Sequence, residues 1–206
     1  MKKIIMLLLL IFPSFLFAQF GIKAGLNFSN VSNASSVNNS TRSGFHAGIL
    51  FAPGGKAILG SRTELLYSRQ GYNYSSGSAN GSVKLDYLML SQLMAINITR
   101  FVQLQLGAQT SYLLTAAADS NKQSTGNASA DKILSFYNRL DYGFAGGIEI
   151  HPIKKLLVGA RYSISLSKLY KQPDPSSSGS SSSFNPGSDG ANFKNNLVQV
   201  FIGYKF

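Results

Sequence analysis

The last residues of the chain alternate between apolar and polar or small side chains up to the final position. Every second residue from Val198 to Phe206 is apolar, and the residues between them are Gln199, Gly203 and Lys205 together with the apolar Phe201. Alternation with a period of two predicts a β-strand with two unlike faces. A chain that ends on a strand must pair both strand edges or leave one open. A closed barrel, in which the last strand pairs with the first, satisfies both edges.

Six further segments alternate in a similar way and a seventh, 83–98, is apolar on both faces, so the sequence predicts eight strands. Polar stretches rich in Ser, Asn and Gly alternate with tight turns as the connections between them. Outer-membrane barrels show this asymmetry, with long extracellular loops and short periplasmic turns. We therefore predict an all-β fold, an eight-stranded antiparallel transmembrane outer-membrane β-barrel with both termini in the periplasm. The predicted strands are 20–29, 44–52, 57–70, 83–98, 101–114, 139–150, 155–169 and 196–206.

Two parts of the pattern leave alternatives open. Both faces of segment 83–98 are apolar, so the sequence does not determine which face points inward. The polar stretch 115–138 could contribute a hairpin, which would give ten strands. The remaining long connections, 30–41, 71–82 and 170–195, are predicted to be solvated loops.

Composition also favours a membrane barrel. Charged residues make up 13% of the chain and hydrophobic residues 44%, which is a low charge content for a soluble domain. Aromatic residues near strand ends are typical of the girdles that border a bilayer. The predicted girdle residues are Phe20, Tyr67, Phe101, Tyr112, Tyr142, Tyr162 and Phe206.

The N-terminal residues predict export. Lys2 and Lys3 precede an apolar run that ends near Ala18, and this run is short for a helix that spans a bilayer. We expect residues 1–18 to be a cleaved signal peptide and residues 19–206 to form one outer-membrane β-barrel domain. The chain contains no Cys, which excludes disulfides and thiol chemistry.

Charged side chains of both signs occupy predicted inward positions. The interior of an eight-stranded barrel is only just wide enough for side chains, so buried charges must be paired and hydrogen-bonded. We expect a structural charge cluster that fills the lumen. A narrow path for ions or small solutes and a proton-linked or catalytic pair are the alternatives. The predicted cluster is Lys23, Arg62, Glu64, Asp141, Glu149, Arg161 and Lys205, with Gln103, Gln105 and Gln109 beside it.

The sequence offers little for catalysis or metal binding. Of its two histidines, His46 is predicted alone on its strand face near the extracellular rim, and His151 in a periplasmic turn. A zinc site needs several converging ligands. We expect no enzyme activity, catalytic residue, metal site or cofactor, and an enzyme that uses His46 at the rim is the remaining alternative. Lys and Arg are scattered without a basic run, so no nucleic-acid partner is expected.

Three motifs carry a resemblance to a known family. They are Phe-Gly-Ile-Lys-Ala-Gly-Leu-Asn-Phe-Ser at 20–29, Glu-Leu-Leu-Tyr-Ser-Arg-Gln-Gly at 64–71 and Ile-Gly-Tyr-Lys-Phe at 202–206. Through them the chain resembles the PorT-like outer membrane β-barrel family of Bacteroidetes-type bacteria. The resemblance implies assembly by the outer-membrane insertion machinery, which reads a terminal aromatic residue such as Phe206.

Some relatives in that family act with a protein secretion system and a gliding apparatus. The resemblance therefore implies an integral outer-membrane protein with a structural or interaction role, accessory to such a machinery. The implied partners are outer-membrane lipids, the insertion machinery, and secretion-system or cell-surface proteins. A narrow pore for ions or small solutes is the alternative function.

Overall fold

A computed structural model describes residues 18–32, 38–53, 57–76, 79–120, 138–167 and 194–206. Each strand pairs antiparallel with the next, and the last pairs with the first, which confirms the predicted closed barrel of eight strands. Apart from Ala18, the predicted signal peptide lies outside these ranges. Within them, no helix has the length and apolar character needed to cross a membrane. The strands are β1 (Ala18–Ser32), β2 (Asn38–Pro53), β3 (Leu59–Ser76), β4 (Ala79–Asn97), β5 (Val102–Ser120), β6 (Leu140–Ile153), β7 (Leu156–Ser165) and β8 (Lys194–Lys205).

The ten-stranded alternative is wrong. β5 and β6 are direct neighbours, and their register runs from Val102 opposite Ile150 to Tyr112 opposite Leu140. Because these backbones hydrogen-bond to each other, no hairpin lies between them in the sheet. Residues 121–137 of the stretch considered for that hairpin lie outside the described part of the chain.

The two ends of the barrel differ in their connections. At one end, here called the turn end, β1 begins, β8 finishes, and Lys154 and Lys155 form a tight turn between β6 and β7. The opposite end is called the loop end. The chain closes at the turn end through a hydrogen bond from the Phe206 N–H to the Phe20 carbonyl oxygen, at 2.8 Å.

The outer surface of the barrel carries an apolar belt. Large apolar side chains point outward along each strand, and Leu106, for example, is 58% exposed. An apolar surface of this extent faces lipid in a barrel. Aromatic pairs border the belt: the rings of Phe20 and Phe51 are 5.0 Å apart near the turn end, and those of Phe45 and Tyr67 are 5.9 Å apart towards the loop end.

The outer surface of β3 and β4 becomes polar beyond Tyr67. On the loop-end side of that residue, Arg69 and Asp86 point outward, whereas Val83 and Leu85 point inward and are fully buried. Polar residues outside and apolar residues inside are the arrangement of a sheet in water. β3, β4 and the end of β5 that pairs with β4 therefore stand beyond the apolar belt as a wall at the loop end.

The prediction of a long loop at 71–82 is wrong, because these residues belong mostly to the wall. β3 continues to Ser76 and β4 begins at Ala79, so most of the segment forms a hairpin with continuous pairing. Small polar residues suggest a loop, but they form strands where a neighbouring strand supplies backbone partners and buried positions such as Val83 anchor the pairing. The strands β2 and β5 likewise extend past their predicted ends, to Asn38 and Ser120.

The structure also resolves which face of β4 is internal. Tyr87, Met89 and Leu93 point inward and are at most 1% exposed, whereas Leu88 and Leu90 belong to the outer belt. β4 therefore gives the lumen a mostly apolar side, interrupted by the buried Ser91. The charged side chains come from the other strands.

At one position, Gly71, the backbone conformation requires a glycine. Across the interval from Thr41 to His46, β2 contains one residue more than β3, so the register shifts. Beside this bulge Gly71 has a φ of 145° and bonds to β1: its N–H donates to the Ser29 hydroxyl at 2.9 Å, and that hydroxyl donates to the Gly71 carbonyl at 2.7 Å. An added Cβ would meet the Val83 carbonyl oxygen.

We expect Gly71→Ala to lower the free energy of unfolding by about 1–3 kcal/mol, because an L side chain is strained at this φ. Gly146→Ala is the matched control, since its added Cβ would make ordinary contacts at 3.5 and 3.8 Å. Urea unfolding in detergent, followed by gel mobility, measures both variants. If the two variants are equally stable, a side chain at position 71 is not strained.

Candidate functional site in the barrel lumen

The charged residues of the lumen come from strands on different sides of the barrel. β3 supplies both Arg62 and Glu64 because residues two apart share one face of a strand. β1 supplies Lys23, β6 supplies Glu149 and β7 supplies Arg161. All five side chains are at most 2% exposed, so they meet in the centre of the lumen away from solvent.

The first half of the network joins β3 to β6. The guanidinium of Arg62 contacts Glu149 with both terminal nitrogens: Nη2 donates to Oε1 at 2.7 Å, and Nη1 donates to Oε2. This fork geometry matches a carboxylate and fixes both side chains. Nη1 of Arg62 also lies 3.7 Å from Oε1 of Glu64, which places the second carboxylate beside the first pair.

The second half of the network is centred on Glu64. Arg161 donates from Nη1 to Oε2 at 2.7 Å and from Nη2 to Oε1 at 2.9 Å. Lys23 donates from Nζ to Oε2 at 2.9 Å. Its ammonium also lies 3.6 Å from the centre of the Phe201 ring, a cation–π contact that gives the buried charge further stabilisation.

Gln105 on β5 connects the two halves. Its Nε2 donates to Oε2 of Glu149 at 2.8 Å, and its Oε1 accepts a hydrogen bond from Arg161. A continuous chain of polar contacts therefore crosses the lumen and links β1, β3, β5, β6 and β7. Because every charged member has a partner of the opposite charge, the burial of these groups is compensated.

The remaining predicted lumen residues lie at the margins of this network or apart from it. Nζ of Lys205 is 3.9 Å from Oε1 of Glu149, at the turn-end edge of the network. Asp141 is also buried but lies separately, where it accepts hydrogen bonds from the hydroxyls of Ser165 and Ser167. Gln103 and Gln109 are both buried; Gln103 donates to Asn97 at 2.7 Å.

His151 is a member of the network that the sequence did not identify. Its Nε2 lies 2.9 Å from Oε1 of Glu149. The predicted periplasmic turn is wrong here because β6 continues to Ile153, so His151 occupies an inward strand position two residues after Glu149. The adjacent Pro152 suggested a turn, yet Pro is tolerated near a strand end.

The predicted position of His46 is also wrong. β2 begins at Asn38, so His46 lies well inside the strand, and it is 1% exposed rather than at a rim. Its Nδ1 is 2.8 Å from Oδ1 of Asn27, which also accepts a hydrogen bond from Gln199 at 3.2 Å. This position gives a rim enzyme no support. No group of three or more potential metal ligands occurs among the described residues.

A contrasting ion pair lies on the outer surface of the wall. Arg69 donates to both carboxylate oxygens of Asp86, at 2.7 and 3.0 Å, and its side chain is 40% exposed. This pair lies beyond the apolar belt and outside the membrane-spanning segments. Partial burial acts to raise the pKa of Asp86, but hydrogen bonds led by that from Arg69 hold this pKa below its usual value.

Comparisons with known proteins identify the class of barrel. A family model described as an outer membrane protein beta-barrel domain matches residues 13–171. This match supports the broader family, and the PorT-like family specifically is not confirmed. No curated protein matches the chain.

Solved structures show the same fold. Neisserial surface protein A matches with 16% identity, a TM-score of 0.57, and coverage of 92% of this chain and 99% of its own. The attachment invasion locus protein Ail of Yersinia pestis, solved with the heparin analogue sucrose octasulfate, matches with 16% identity, a TM-score of 0.51 and the same coverage. At this identity the likeness concerns the fold.

We expect Glu64→Gln to lower the free energy of unfolding by about 3–5 kcal/mol, because it leaves Lys23 and Arg161 buried without a countercharge. Asp86→Asn is the matched control on the outer wall and should cost at most about 1 kcal/mol. Denaturant unfolding in detergent micelles measures both. If both variants lose a comparable amount of unfolding free energy, Glu64 is not held in a water-free environment by Lys23 and Arg161.

Proposed function

This chain belongs to the outer membrane protein β-barrel domain family, and we propose that it serves in the outer membrane as a non-conducting protein with a structural or interaction role. The observation that carries this proposal is the closed centre of the lumen. Arg62, Glu64 and Arg161 are fully buried there, with Arg161 bound to Glu64 and Arg62 at 3.7 Å from the same carboxylate. A solute path would need side chains in contact with water, so the ends of the barrel are the surfaces left for function.

The wall at the loop end is the best candidate for a contact surface. β3 and β4 pair continuously to Ser76 and Ala79, so they form a regular hairpin beyond the apolar belt, with Arg69 and Asp86 on its outer side. We infer that this end is extracellular and that both termini are periplasmic, because barrels of this class have short turns on the periplasmic side. Regular strands position a binding surface better than isolated loops do.

The narrower role implied by the family resemblance remains part of this proposal. It is that of an accessory to a protein secretion or gliding machinery, with a secretion-system or cell-surface protein as the partner. Phe206 is 68% exposed at the end of the barrel, as a residue read by the insertion machinery would need to be. No enzyme activity is proposed, since the buried histidine His46 has no access to a substrate at the rim.

Site-specific photo-crosslinking in cells tests the proposal. A photoreactive residue at Ala117, which is exposed on β5 in the wall, should form a covalent adduct with a partner protein. The same residue at Leu106 in the lipid-facing belt is the control and should form none. Mass spectrometry of the adduct then shows whether a secretion or gliding component is the partner.

If neither the Ala117 position nor other exposed wall positions, such as Thr115, give a protein adduct above the Leu106 background, the interaction role is contradicted. A reproducible adduct with a protein unrelated to secretion or gliding would retain the interaction role and reject the accessory role.

A further inference from the structure

The lumen contains a cavity of about 810 Å³ between the charge network and the turn end. Arg62 and Lys205 line its inner part, and His151 lines its side. The turn between β4 and β5, with Arg100 and Phe101, lies at its mouth. This volume is in the range of small-molecule sites.

The described lining of this cavity is basic. Arg62, Arg100, Lys154 and Lys205 contribute to it, and no Asp or Glu is among the described lining residues. A cleft lined by charges of one sign concentrates its electrostatic field within low-dielectric walls and attracts ions of the opposite sign. The cavity therefore favours an anion.

The nearest carboxylate, Glu149, pairs with Arg62 and does not hydrogen-bond to Arg100, Lys154 or Lys205. Glu149 is occupied by Arg62, by Gln105 at 2.8 Å and by His151 at 2.9 Å. The ammonium of Lys205 reaches it only at 3.9 Å and makes no hydrogen bond to a described residue. Its ammonium is nearly buried, with 9% of the side chain exposed, and is available to an anion in the cavity.

A second donor is also unused. Nε of Arg62 is buried and has no hydrogen-bond partner among the described residues, although both terminal nitrogens are bound to Glu149. Buried donors without partners are rare in folded proteins, and they often indicate a site for a water or a ligand. This donor belongs to a residue that lines the cavity.

We propose that this cavity binds a phosphate group, which is carried either by a small soluble phosphate compound or by a phospholipid headgroup. A phosphate has several acceptor oxygens and up to two negative charges, which matches a cavity with Lys205 in its inner part and Arg100 at its mouth. The cavity opens at the end bordered by the Phe20–Phe51 pair, and aromatic residues mark the depth of lipid headgroups. Both sources can therefore reach the site.

Two binding measurements on the intact, folded barrel test this site. In a neutral detergent, isothermal titration measures the affinity of inorganic pyrophosphate. In nanodiscs that contain phosphatidylcholine and phosphatidylglycerol, native mass spectrometry measures how much phosphatidylglycerol is retained after the protein is transferred to detergent. The variants are Lys205→Gln inside the cavity and Arg100→Gln at its exposed mouth. The control is Lys155→Gln, which removes the same charge from the exposed neighbour of Lys154 outside the lining.

The proposal expects Lys205→Gln to weaken phosphate binding by about tenfold, the factor that corresponds to one charge-assisted hydrogen bond. Arg100→Gln should weaken it in the same direction, and Lys155→Gln should leave it near the original value. If the two cavity variants weaken the binding of pyrophosphate alone, the ligand is a soluble phosphate compound. If they weaken the retention of phosphatidylglycerol alone, the ligand is a phospholipid headgroup. The proposal is overturned if neither ligand binds, or if Lys155→Gln weakens binding as much as both cavity variants. Arg100→Gln keeps the test decisive if Lys205→Gln does not fold, because Arg100 is exposed.

Discussion

The structure depends on the burial of charge in a narrow lumen. A carboxylate or guanidinium that leaves water loses several kcal/mol of solvation, which only close partners and complete hydrogen bonding recover. Glu64 meets this condition through Arg161 and Lys23, and Glu149 meets it through Arg62. Because these partners belong to different strands, the ion pairs can form only when the barrel has closed in the correct register.

This constraint explains the division of the barrel along its axis. In the centre the network fills the lumen, and β4 supplies an apolar side through residues such as Met89 and Leu93. Beyond Tyr67 the outer surface becomes polar and Val83 and Leu85 are buried inside, as in a protein surrounded by water. Towards the turn end the network gives way to a basic cavity. A closed centre with two accessible ends is suited to contacts at those ends.

The sequence predicted the faces of the strands well because a period of two is a local property. It placed Lys23, Arg62, Glu64, Glu149 and Arg161 inward from alternation alone, and the structure has all of them buried. It did not predict which of them pair. Arg62 and Glu149 are 87 positions apart and Arg161 and Glu64 are 97 apart, so their contacts depend on the stagger of a closed barrel.

The errors of the sequence-based prediction have local causes. The Ser-, Asn- and Gly-rich segment after Gln70 has the composition of a loop, but pairing between β3 and β4 and burial of Val83 keep it in the sheet. Pro152 suggested a turn and so concealed His151, the neighbour of Glu149. The basic cavity could not be predicted, because Arg100 and Lys205 come together only after the last strand closes the barrel.

Single-channel recording in planar lipid bilayers shows directly whether buried ion pairs close the lumen. We expect no steady conductance steps from the purified protein. The double variant Glu64→Ala/Arg161→Ala, which removes the central pair, should give steps if it folds to the same gel mobility. If the unmodified protein gives reproducible steps that change in size with Glu64→Gln, the lumen is open, because ions then pass Glu64 and its partners.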